Sequence, residues 1–172
     1  HPFLALLEAG VRHVRVPVSD LDDELQGRRL ELLRAEGIAI TATWLWSDRL
    51  ALPEFVSRHT DAIDTVELQV PGALFPDEQI LQSLIQCREE TGHPVVLTPI
   101  ISRETTKGKY HPRTRFGYRP EELDELNQHL DEQGVQIDRV LCHIDPDISP
   151  WESLMELDAY RGLSHIVDFD FI

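Results

Sequence analysis

Acidic and imidazole side chains recur near the ends of short apolar segments in this chain. Glu67 stands in VELQV, His143 and Asp145 in CHIDPD, and Asp168 and Asp170 in IVDFDF. A carboxylate and a histidine can exchange protons with a bound molecule near neutral pH. Carboxylates with a histidine can equally hold a divalent ion that polarises a carbonyl or hydroxyl. Spacing does not choose between the two, because each residue comes from a separate segment. The chain has no paired-histidine motif, no Cys-x-x-Cys and no calcium loop.

A second set is basic. Arg103, Lys107, Lys109, Arg113 and Arg115 fall within RETTKGKYHPRTRFGY, five of the chain's sixteen Lys and Arg residues in one short stretch. The expectation is a flap that clamps phosphate or carboxylate on a small substrate, with Arg as the bidentate partner. A solvated loop, or one that pairs with acidic helices, is the alternative. Arg15 adds a cation in the first strand, and Trp46 near the end of the second offers an apolar platform for a sugar ring or a core contact. Neither GxGxxG nor GxxxxGK[ST] follows the first strand, so no nucleotide cofactor is expected.

Six apolar segments must position these residues. They begin near Val11, Ile38, Thr65, Pro94, Asp138 and Ser164, in an even beat broken once by the basic stretch. Helical patterns lie between them, with Leu25, Leu30, Leu32 and Leu33 in one and Ile80, Leu81, Leu84 and Ile85 in another. Ser19 or Asp20 is expected to cap the first of these, Pro120 to open a later one, and Gly37, Gly92 and Gly134 to close three. Strand–helix alternation of this kind predicts a parallel β/α fold, whose chemistry lies in the loops after the strands.

The strands have unequal faces. Val66, Leu68 and Val70 oppose Glu67 and Gln69; Val14, Val16 and Val18 oppose His13, Arg15 and Pro17. Strands sandwiched between two helix layers read as almost continuously apolar. One clean side and one polar side favour a (β/α) TIM-type barrel over an open doubly wound sheet. An ion network of Arg15, Glu67 and Asp168 that merely fills the barrel is the structural alternative to a catalytic set. With 172 residues against the ~250 typical of a closed barrel, one domain over 1–172 is expected, an incomplete barrel excerpted from a longer chain. The rest of that chain, or an oligomer partner, would complete it.

The charge of −15 disfavours nucleic acid and anionic membranes as partners. No apolar run is long enough to span a bilayer, and Cys87 and Cys142 do not form a disulfide framework, so a cytoplasmic protein is expected.

The β/α rhythm, with Glu67 in VELQV, the segment CHIDPD and the final SHIVDFD, resembles the xylose-isomerase-like sugar isomerases and epimerases. The resemblance lies at the level of topology. It implies a divalent metal bound by Glu67, with Asp145 and Asp168 as further ligands, although CHIDPD has no histidine shortly after its aspartate. The resulting expectation is an isomerase or epimerase of a small sugar-like or hydroxy-acid substrate. Glu67 or His143 would move the proton, Asp145 or Asp168 would orient it, and Lys107, Lys109, Arg113 and Arg115 would hold an anionic group. A carboxylate-based hydrolase of a glycoside or sugar lactone, and a non-catalytic barrel domain docking an acidic partner through the basic loop, are the alternatives.

Overall fold

The computed structural model describes residues 2–46, 52, 56, 58–102, 114–144 and 148–171. Helix α1 (Pro2–Glu8) leads into β1 (His13–Pro17), then α2 (Ser19–Asp22), α3 (Glu24–Ala35) and β2 (Ala39–Leu45). Strand β3 (Thr65–Pro71) follows, then α4 (Glu78–Thr91), β4 (Val95–Ser102) and β5 (Thr114–Phe116). The chain ends with α5 (Leu123–Glu132), β6 (Ile137–Cys142), α6 (Pro150–Asp158) and β7 (Ile166–Phe171). All six strands expected from the apolar segments are present. They form one sheet in the order β1-β2-β3-β4-β6-β7, each pair parallel, and β5 pairs antiparallel with β4.

Local chemistry explains where the helices start. The sequence suggests one helix capped by Ser19 or Asp20, but the chain breaks at Asp23, which is extended at φ −84° and ψ 119°. Its carboxylate accepts a hydrogen bond from the Gln26 amide at 2.9 Å, satisfying an amide that the first turn leaves without a partner. Asp77 does the same for Ile80 at the start of α4. At α6, Ser149 accepts from the Trp151 amide while Glu152 accepts from the Ser149 amide, with Pro150 at the first position.

The helices cover one side of the sheet. Val66, Leu68, Leu97 and Val140 from the strands meet Leu81, Leu84, Leu126 and Leu130 from the helices, and all are fully buried. Each such side chain contributes roughly 1.5–3 kcal/mol by leaving water. Leu52 and Val56 join this core.

A repeated clasp ties the strand beginnings together. Asp64, just before β3, accepts from the Ile40 amide of β2 at 2.8 Å and pairs with Arg34 in the last turn of α3. Asp138 on β6 accepts from the Val95 amide of β4 at 3.0 Å and pairs with Arg88 in the last turn of α4. In each case an acid from the next strand holds the amide, and the preceding helix supplies the cation.

Strands β4 and β6 pair only through Val96–Arg139 and Leu97–Val140, then splay. The chain from β5 fills the wedge. Gly117 donates its amide to Pro99, Tyr118 donates to Leu141, and the His143 amide donates to Tyr118. A Cβ on Gly117 would meet the Leu141 carbonyl oxygen at 2.7 Å, and its φ of +86° already favours glycine. The sequence suggests a loop through this stretch. Thr114–Phe116 instead forms a strand, while the remainder of the basic run, 103–113, lies outside the described residues.

The sheet is curled. Six flat strands spaced ~4.8 Å apart would hold β1 and β7 about 24 Å from each other. Yet Arg15 of β1 reaches Asp170 of β7 at 3.2 Å. The two strands share no ladder, so a seam stays open between them. Beside it, on the helix side, Trp151, Leu154, Met155, Phe169 and Phe171 line a groove of about 420 Å³.

Candidate functional site

Parallel strands place register partners on the same face, which defines the polar side of the sheet. Arg15 aligns with Thr41, Thr43 with Glu67, Gln69 with Thr98, and Leu141 with Asp170. On this side Glu67 is 1% exposed, and its carboxylate is held from two directions. The Gln69 side-chain amide donates to Oε1 at 3.1 Å. Arg15 Nε stands 2.9 Å from Oε2, close enough for an ion pair but out of line for a hydrogen bond. The same guanidinium then donates from Nη2 to Asp170.

The first, third and last strands thus deliver one basic and two acidic groups to a single cluster. Arg15 and Asp170 keep 25% and 22% of their side chains exposed, so the cluster has a dry end at Glu67 and a wet end at Asp170. Arg15 Nη1 has no partner among the described residues. Two hydroxyls flank the set: Thr41 pairs with His13 Nε2 at 2.6 Å, and Thr98 is fully buried with no hydrogen-bond partner among the described residues.

The structure redistributes the residues that the sequence singled out. Glu67 and Arg15 meet, as in the ion network that the sequence offers as the structural alternative. Asp168 does not join them: its side chain is 67% exposed, lies 4.0 Å from Arg139, and accepts from the adjacent Phe169 amide. Asp170, two residues on and on the same side of β7, takes the place in the network that the sequence suggests for Asp168. Alternation puts both acids on the polar side, and only the curl of the sheet decides which one reaches Arg15.

His143 follows β6 and lines a separate cavity of about 210 Å³ with Arg119, Ser153 and Glu156, among others; Arg15, Glu67 and Asp170 are not in that lining. Trp46 packs against the core with partial exposure, its amide bonded to the Gln69 carbonyl. Arg115 differs from a free clamp residue. It is 5% exposed, donates to both carboxylate oxygens of Glu122 at 2.6 and 2.7 Å, and also donates to the Gly117 carbonyl. Its fork holds the β5 wedge to the start of α5, because a buried guanidinium requires that pairing. Asp145, Lys107, Lys109 and Arg113 lie outside the described residues.

Two buried groups behind the polar face are shifted. Burial pushes the Cys142 thiol up to about 12, with the Asp170 charge adding to it. Burial likewise raises the Tyr118 hydroxyl, helped by Glu122.

The described residues do not fit a divalent metal on Glu67. Its two oxygens face Gln69 and Arg15, and a guanidinium stands where the ion would sit. No group of three or more His, Cys, Asp or Glu is arranged to hold a metal among the described residues. None of the described helices is long and apolar enough to cross a membrane. No protein-family model matches the chain, and no curated protein matches it in sequence.

Proposed function

We propose that the chain is part of a TIM-type barrel enzyme that isomerises or epimerises a small sugar-like or hydroxy-acid molecule on the polar face of its sheet. One observation carries this: Arg15, Glu67 and Asp170, from strands far apart in the sheet, converge where the sheet curls. Asp170, the more exposed carboxylate, moves the proton. Glu67 and Gln69 are positioning residues that fix Arg15, and Arg15 donates to an oxygen of the substrate. The seam between β7 and β1 is where further β/α units complete the barrel. Both cysteines are free thiols, which accords with a cytoplasmic site of action.

Solvent exchange tests the reading even before a substrate is identified. A panel of aldoses, ketoses and α-hydroxy acids is incubated with the protein in D2O, and NMR follows deuterium entering next to the carbonyl or hydroxyl. Incorporation with the wild type, lost in Asp170→Asn with unchanged circular dichroism, is expected. No incorporation from any panel member overturns the proposal. The second reading is a non-catalytic domain, favoured by the buried Glu67 already having partners on both oxygens. Under it, Glu67→Gln and Asp170→Asn change stability alone.

A further inference from the structure

We infer that Glu67 and Asp170 form a carboxylate cage for a cation, and that the chain fills it with its own guanidinium, Arg15, where the sugar-isomerase resemblance reserves a place for a divalent metal. The inference rests on the same face being the substrate site. Its content is different: the fixed positive charge of this site is built into the polypeptide, so function on this face needs no added metal.

The geometry supports the assignment from both sides of the cation. Arg15 approaches Glu67 Oε2 at 2.9 Å and Asp170 Oδ2 at 3.2 Å, so one planar group spans two carboxylates from different strands. Glu67 is 1% exposed and must have a counter-charge in its dry setting. A tethered guanidinium supplies one permanently, whereas a metal would have to expel it and then sit beside like charge. The nearby imidazole, His13, is engaged with the Thr41 hydroxyl.

What remains on Arg15 is suited to substrate. Nη1 is unpartnered among the described residues, and a quarter of the side chain is exposed. Because two carboxylates already balance its charge, the group favours a neutral oxygen, a carbonyl or hydroxyl, over a phosphate.

Manganese binding tests the assignment directly. The 172-residue chain is stripped with EDTA, exchanged into metal-free buffer and titrated with MnCl2, with free Mn2+ read by electron paramagnetic resonance. Weak binding to surface acids cancels by comparison with Glu67→Gln. The wild type is expected to bind no more Mn2+ than Glu67→Gln does. Arg15→Ala, with the cage emptied, is expected to gain one Mn2+ per chain, lost again in Arg15→Ala with Glu67→Gln. A wild type that binds one Mn2+ per chain through Glu67 overturns the inference, and so does a folded Arg15→Ala that gains none. Should Arg15→Ala not fold, Arg15→Met serves in its place, and the wild-type titration decides alone if neither folds. The deuterium experiment fails or succeeds separately: a chain that exchanges no deuterium yet gains Mn2+ only without Arg15 retains the cage and loses the enzyme.

Discussion

Asp170 of the last strand and Arg15 of the first are joined at 3.2 Å by a contact that crosses an open seam rather than a hydrogen-bonded ladder. The pair is half-wet, while the Arg15–Glu67 contact behind it is nearly dry on the acid's side. The two contacts therefore carry different energies although they share one guanidinium.

Asp170→Asn is expected to cost under about 1 kcal/mol, since both partners retain water. Arg15→Met leaves Glu67 buried without its counter-charge and is expected to cost toward the low end of roughly 3–5 kcal/mol. Adding Glu67→Leu to Arg15→Met should restore much of the loss, because the stranded charge is then gone. Urea denaturation of the three variants checks this. Equal losses for Asp170→Asn and Arg15→Met would refute the division into a wet and a dry contact.

Gly117 and Gly92 separate a steric clash from backbone strain. Both have positive φ, at +86° and +72°, but a Cβ at Gly92 meets nothing within 4 Å. Gly92→Ala should cost ~1–2 kcal/mol from the left-handed backbone alone. Gly117→Ala drives the same atom to 2.7 Å from the Leu141 oxygen, with backbone on both sides, and should cost visibly more. Thermal melts of the two variants measure the difference. Equal shifts would show that the wedge between β4 and β6 gives way freely.

The two strand-end clasps predict matching losses. Asp64→Ala strands the Ile40 amide and Asp138→Ala the Val95 amide, each costing about 1–3 kcal/mol. Arg34→Ala removes a part-exposed ion pair, and Arg88→Ala removes another together with an exposed hydrogen bond to the Gln136 carbonyl; both should cost less. Native-state hydrogen exchange at Ile40 and Val95 locates the effect, and unchanged protection in the Asp variants would rule the clasp out.

Both thiols predict alkaline instability. Burial pushes Cys87 up to about 11 and Cys142 up to about 12, from 9.0. Above pH 9 the unfolded chain has released these protons while the folded chain still holds them. Stability therefore falls as pH rises from about 9 toward the folded values, by ~1.4 kcal/mol per pH unit for each thiol. Cys142→Ser should flatten part of that slope in urea titrations at pH 8.5–10.5, a range estimated from the same linkage. An unchanged slope would mean that other groups cause the loss.

The six parallel strands follow from features carried along the chain: apolar runs of strand length, helical periodicity between them, and glycines where helices stop; the short antiparallel β5 does not. The polar side of each strand was equally legible, because alternation places Glu67 with Gln69 and Asp168 with Asp170 whatever the packing. Even the pairing of Arg15 with Glu67 could be anticipated from types and faces. The break at Asp23 was less visible, since several adjacent residues can cap a helix and only the local backbone chooses among them.

Tertiary structure decided the rest, because side chains from non-adjacent strands meet only through the curl of the sheet. That curl selects Asp170 over Asp168 for Arg15, and it sets Glu67 deep enough to demand a permanent partner. Arg115 shows the same point in reverse: its composition suggested a free clamp, but folding the β5 wedge into the sheet buried it, and a buried guanidinium must take the nearest carboxylate, Glu122. Sequence determines which residues face the polar side. Distance across a curved sheet, which no linear spacing encodes, determines which of them touch.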